Sequence, residues 1–142
     1  MSHSNEIVIT LPGGRRVDAQ LGHHTIHTDQ PLDNGGDDSA PSPFEVFLGS
    51  MGACAGIFVQ GFCAKRNIPT DQIRIIQRPQ FAPDGSLFAV DFEVQLPQGF
   101  PEKYREAVVK AIDGCSVKRA IAAQPKFVVH TTLADEPSAR VA

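Results

Sequence analysis

Cysteine is scarce in this chain: three in 142 residues, at positions 54, 63 and 115. An odd count at those separations excludes the disulfide framework that staples small secreted domains, and leaves reactive or buried thiols in a cytoplasmic protein. Charge of either sign is also short. The 13 Lys and Arg against 16 Asp and Glu give a net −3, which makes no electrostatic bid for nucleic acid or for an anionic membrane. The opening MSHSNEIVIT has neither the basic start nor the apolar run of a signal peptide. No repeat, heptad or low-complexity tract is visible. There is no Gly-x-Ser-x-Gly, and neither Gly13-Gly14 nor Gly35-Gly36 has the Lys or strand-to-helix setting of a phosphate loop. What is left is one ordinary domain, 1–142, large enough to bury a core.

What the chain does have is Pro41 to Ala64, PSPFEVFLGSMGACAGIFVQGFCA, with no charged side chain from Val46 onward. Phe47, Ser50, Met51, Cys54, Phe58, Gly61 and Phe62 step by threes and fours along one helical face. The opposite face, with Val46, Ala53, Ile57 and Cys63, is apolar too, so the spacing predicts a helix buried on every side. The run is long enough for a membrane span. Four glycines (Gly49, Gly52, Gly56, Gly61), a mid-run Gln60 and the lack of a second such segment favour a central core helix instead.

Around it, alternation predicts strands over Ile7 to Leu11, Arg15 to Gln20 and His23 to Thr28, with a turn at Pro12-Gly13-Gly14. Asp29 to Pro43 reads as a loop that ends in Ser42 as N-cap and Pro43 as first helical residue. The helix should stop near Asn67, before Pro69. Strands follow at Ile73 to Arg78 and Leu87 to Leu96, joined by Ala82-Pro83-Asp84-Gly85. Phe88, Val90, Phe92, Val94 and Leu96 share one face of the second of these. Pro101 opens an amphipathic helix on Tyr104, Ala107, Val108, Ala111 and Ile112, broken at Asp113-Gly114. A short helix from Ser116 to Ala123, a final strand from Phe127 to Leu133 and a loose tail from Asp135 complete the chain. The order βββ-α-ββ-αα-β groups the strands and indicates an α+β fold. Covering a two-sided apolar helix calls for a second subunit, hence a homodimer.

Among the candidate chemical groups, Cys54 reads from its surroundings as a small buried hydrophobe. Cys115 lies just ahead of a helix, where thiol pKa values fall, and is a candidate thiolate. Cys63 stands nine residues from Cys54, about 900° of helix rotation, so the two face opposite ways and cannot bridge. His23, His24 and His27 invite a metal reading. On a strand, though, only His23 and His27 share a face, too few for a closed zinc site.

The runs His27-Thr28-Asp29-Gln30-Pro31, Gly35-Gly36-Asp37, Pro41-Ser42-Pro43-Phe44-Glu45 and Gly52-Ala53-Cys54, with Cys115-Ser116-Val117-Lys118 after an amphipathic helix, resemble the OsmC/Ohr superfamily. The resemblance covers nearly the whole chain. It implies antiparallel sheets packed around a long central helix in an intertwined homodimer, with the active site at the subunit interface. It also implies thiol peroxidase chemistry without a cofactor. Cys54 matches the peroxidatic thiol and Cys115 the resolving one, forming a Cys54–Cys115 disulfide that an external dithiol reduces. The substrate would be a small apolar hydroperoxide. The family's acidic residue after the proline is Phe44 here, with Glu45 next. Its early arginine corresponds to Arg15, or to Arg16 beside it, and Ser116 stands where a proline often follows the second cysteine. The competing expectation is a non-catalytic protein that binds an apolar ligand or senses redox state through the same thiols.

Overall fold

The computed structural model describes residues 5–134. Its architecture is α+β, as the grouping of strands predicts. A three-stranded antiparallel sheet in the order β1-β2-β3 is formed by β1 (Val8–Gly13), β2 (Arg16–Leu21) and β3 (His24–Thr28). Gly13 and Gly14 turn the first hairpin at φ 138° and 59°, conformations that a side chain would strain. The third strand starts one residue later than the alternation predicts, because His23 belongs to the turn.

The central helix α1 spans Pro43–Ala64. Ser42 caps it, and the capping box is complete: the Glu45 amide donates to Ser42 Oγ at 3.3 Å, and the Ser42 amide to Glu45 Oε2 at 2.7 Å. Past Ala64 the chain leaves the helix through Asn67 at φ 55°. Arg66 lays its guanidinium 3.7 Å from the Phe62 ring centre. A two-stranded sheet follows, β4 (Arg74–Phe81) with β5 (Leu87–Gln95), pairing Ile75 with Val94 and Gln77 with Phe92. The predicted amphipathic helix is a composite. It starts as a 3-10 turn (Glu102–Tyr104), continues as α2 (Arg105–Lys110) and tightens again to a 3-10 turn (Ala111–Gly114). The last helix, α3, is Ser116–Ala122.

The core forms where α1 meets these later elements. Ala55, Val59 and Cys63 pack with Phe100, Val108 and Ile112, flanked by Phe92, Val94 and Leu96 of β5 or just beyond it. Gln77 of β4 donates to the Leu48 carbonyl at 2.8 Å, passing over Gly52, where a Cβ would lie 2.4 Å from its amide oxygen.

Within the chain, helix α1 buries one stripe at four-residue spacing, Met51, Ala55, Val59 and Cys63, while Phe44, Phe47 and Ile57 are exposed. Two short helices and a two-stranded sheet are too little material to encircle it. Among the described residues it is also the one helix that passes, by length and composition, for a membrane span. The final strand expected over Phe127 to Leu133 is not formed among the described residues. Residues 127–133 have no sheet partner among the described residues, and Phe127 and Val129 are 86% and 91% exposed. The tail from Asp135 lies outside the described residues.

Candidate functional site

Cys54 sits about three turns into α1, beside the core stripe but only half-buried. The segment from Ala111 to Gly114 and the start of α3 pack against this part of the helix. Phe58, one turn past Cys54, presses its ring so close to Gly114 that a Cβ there would meet a ring carbon at 2.7 Å. The glycine therefore lets the following turn approach α1. Cys115 comes next, fully buried, at φ −55° and ψ 119°. Its amide donates to the Ile112 carbonyl at 3.0 Å and its carbonyl accepts from the Arg119 amide at 3.2 Å.

This places two free thiols together. The Cys115 thiol is the largest influence lowering the Cys54 pKa from the ordinary thiol value. The backbone N–H of Val117, that of Ser116 and the positive charge of Arg119 add to it, and burial opposes them. Stabilising the anion favours the thiolate, which is the nucleophilic form of cysteine. Cys63 has the opposite character: burial in the core raises its pKa, only partly offset by Arg66.

The local expectation is thus inverted. Position ahead of a helix singled out Cys115 as the candidate thiolate, yet Cys115 is the fully buried sulfur, and the N–H groups at the start of α3 act on Cys54. What linear reasoning could not see is that the turn folds back onto α1.

Glu45 and Arg15 stand elsewhere in the chain. The Glu45 carboxylate is held in the capping box, where its pKa is lowered by the Ser42 amide first and the Ser42 hydroxyl second. Nine residues of helix, about 13 Å, separate it from Cys54. Arg15 and Arg16 lie in the β1–β2 hairpin, Arg16 donating to the Gly13 carbonyl at 3.4 Å, and neither is among the groups acting on Cys54. Of the histidines, His27 pairs through Nδ1 with Asp18 at 3.0 Å, and His23 stacks on His24 at 4.0 Å. No group of three metal-ligating side chains occurs among the described residues. A cleft of about 750 Å³ between β5 and α2, lined by Val94, Glu102 and Val109 among others, contains neither cysteine of the pair.

One residue that the sequence offered as loop composition and within the run His27-Thr28-Asp29-Gln30-Pro31, with no role assigned, organises the entry to α1. Asp29 is 1% exposed, and its carboxylate accepts from the amides of Gln30 (2.8 Å), Ser39 (3.1 Å) and Asp37 (3.3 Å) and from the Ser39 hydroxyl (2.6 Å). These donors, the Ser39 hydroxyl foremost, hold its pKa down at about 2. Its own amide reaches the Pro41 carbonyl at 3.2 Å, tying β3 to the helix cap. Gly36 passes so close to Gln30 that a Cβ would lie 1.9 Å from its carbonyl oxygen.

Comparison with known proteins adds three findings. Residues 36–130, two thirds of the chain and inclusive of both paired cysteines, match the family model of OsmC-like protein. No curated protein matches the chain. Solved structures share the fold. An osmotic stress induced and detoxification response protein from Psychrobacter arcticus has a TM-score of 0.71 at 20% identity, over 84% of this chain and 90% of that one. An OsmC like protein from Mycoplasma pneumoniae has 0.67 at 12%, over 87% and 91%. An organic hydroperoxide resistance protein from Vibrio cholerae, with captopril bound in one of its active sites, has 0.58 at 18%, over 87% and 89%.

Proposed function

The chain belongs to the OsmC-like protein family, and from that premise we propose that it is a cysteine-based peroxidase that reduces organic hydroperoxides. The observation that carries this reading is a half-exposed, anion-favouring Cys54 whose pKa is lowered first of all by a fully buried second thiol, Cys115. The Cys54 thiolate attacks the O–O bond of ROOH, giving Cys54–S–OH and an alkoxide that leaves as the alcohol after taking a proton. Cys115 then condenses with the sulfenic acid, forming the Cys54–Cys115 disulfide and releasing water. Two electrons have passed from the thiols to the peroxide. An external dithiol restores them by exchange, so no bound cofactor enters the cycle.

The working unit in this reading is a homodimer. A compact monomer of 15.3 kDa exposes about 7,100 Å², whereas this chain exposes 11078 Å². The 12 residues outside 5–134, even wholly exposed, would add only about 1,900 Å². The remaining excess is apolar in large part: Ile7, Ile9 and Leu11 of β1 or its approach, Phe44, Phe47 and Ile57 of α1, and Phe127 and Val129 of the unpaired segment are all exposed. A second copy that covers α1 would also enclose Cys54 in apolar surroundings, favouring organic hydroperoxides over hydrogen peroxide. Arg15 and Glu45 enter this reading only as contributions from the other protomer.

Stopped-flow reduction of an aryl hydroperoxide, compared with hydrogen peroxide and with a dithiol donor present, tests the assignment. Faster consumption of the aryl substrate, abolished by Cys54→Ser, is expected. Full activity in Cys54→Ser, or no peroxide consumption by the wild type, would overturn it.

A further inference from the structure

We propose that residues 127–133 of one chain add to the sheet β1-β2-β3 of a second copy as its fourth strand, along the outer edge of β1. The proposal rests on the dimer of the reading above and names the segments that join it. The donor strand is at hand. Phe127, Val129 and Leu133 alternate with Val128, His130 and Thr132, so an extended backbone puts an apolar set on one side and a mostly polar set on the other. Phe127, Val128, Val129 and Leu133 are all exposed. Among the described residues, the last backbone hydrogen bond of the chain runs from the Gln124 amide to the Ile121 carbonyl at 3.2 Å. The amides and carbonyls beyond it form an unpaired row, which is a template for pairing with another chain.

The accepting edge is as open. β2 lies on one side of β1, and no strand among the described residues lies on the other. Every residue of β1 is exposed; Val8 and Ile9, which point to opposite faces, are each 54% exposed. No residue of β1 or β2 is buried, and the sheet gives no side chain to the core. Its two faces nevertheless differ as those of the segment do. Ile9, Ala19 and Ile26 stand in register on one, and Thr10, Asp18 and His27 on the other. A strand added here sets apolar beside apolar and polar beside polar, and a slip of one residue reverses every pairing. The far edge of β3 matches less well, because Ile26 is its only large apolar side chain among His24, Thr25, His27 and Thr28. Each copy both gives and takes a strand, so the exchange closes on two copies. The uncovered surface exceeds the ~800 Å² per partner of a standard stable interface.

Residue-resolved amide exchange of the full chain, followed by NMR, tests the pairing. Alternate amides of 127–133, and the β1 amides that point away from β2, should be slowed together by about ten-fold or more relative to free amides. Proline removes an N–H, and successive residues direct theirs to opposite sides, so Val128→Pro or Val129→Pro must delete a ladder donor. That variant should return both sets of amides to free exchange and halve the mass seen by light scattering. Free exchange at 127–133 in a dimeric wild type overturns the proposal. So does joint protection with β3, β4 or β5 in place of β1, or a dimer that neither proline weakens. No peroxide is used. Strand addition in a protein that leaves hydroperoxides intact would refute the peroxidase reading alone, and peroxidase activity with 127–133 exchanging freely would refute strand addition alone.

Discussion

A thiol in the middle of an apolar helix is ordinarily inert, because desolvation penalises its anion. At Cys54 the penalty is outweighed by donors that arrive from another part of the chain, led by the Cys115 thiol. Its folded pKa lies below the unfolded value, so the thiolate persists to lower pH in the native state. The stabilisation this gives is present above the ordinary thiol value and is lost as pH falls through the lowered one. Alkylation of native Cys54 should therefore inflect at lower pH than in urea, while Cys63, raised by burial, should label only on unfolding. Coincident native and urea profiles for Cys54 would contradict the site geometry. Oxidation separates the sulfurs further. One equivalent of organic hydroperoxide should yield a Cys54–Cys115 disulfide with Cys63 reduced. Cys115→Ser should accumulate sulfenic acid at Cys54 and over-oxidise. Cys63→Ser should cost on the order of 1 kcal/mol and no activity. Peptide mapping that found Cys63 in the disulfide would sink this assignment.

Elements carry the site to its place through two close approaches. At the first, Gly114 lets the turn before α3 lie against Phe58. In Gly114→Ala the added methyl must displace that ring or lift the turn. Disulfide formation after peroxide addition should slow at least several-fold while the first oxidation of Cys54 persists; quenched-flow trapping of the sulfenic acid measures both. At the second, the carboxylate of Asp29 fastens the loop between β3 and α1 with four hydrogen bonds. Its folded pKa of about 2 lies below the ordinary 3.8, so its contribution to stability is fully present above 3.8 and disappears as pH falls towards about 2. Wild type should melt above Asp29→Asn at neutral pH, and the gap should close across that acid window. A gap that did not change with pH would assign the loss to packing rather than to the carboxylate.

At the scale of the molecule, the single chain leaves extensive apolar surface uncovered. Helix α1 carries the core on one stripe and shows solvent Phe44, Phe47 and Ile57, and the segment 127–133 holds strand-like alternation without a pairing strand among the described residues. Apolar surface of that extent is stabilised by covering it, at about 25 cal/mol per Å². Light scattering at micromolar concentration should therefore give twice the chain mass. Val129→Asp, which puts a charge on the most exposed apolar side chain of that segment, should weaken the dimer. A monodisperse monomer of 15.3 kDa would refute the dimer and remove the proposed enclosure of Cys54.

The sequence by itself determined the elements and their class. Alternation located all five strands of the two sheets to within a few residues, Ser42 and Pro43 marked the start of α1, and the grouping of strands indicated α+β. These features follow from local rules of period, capping and turn chemistry, which act over a few residues. Tertiary structure alone decided what depends on distant segments meeting. It selected the stripe Met51, Ala55, Val59 and Cys63 from a helix apolar on all faces. It buried Asp29 beneath donors spread over ten residues, and it folded the turn at Gly114 onto Phe58, so that Cys115 and the backbone of Ser116 and Val117 lower the pKa of a sulfur some sixty residues earlier in the chain. An alternating pattern cannot say whether its partner lies in the same chain. Residues 127–133 read as a strand and stand unpaired among the described residues.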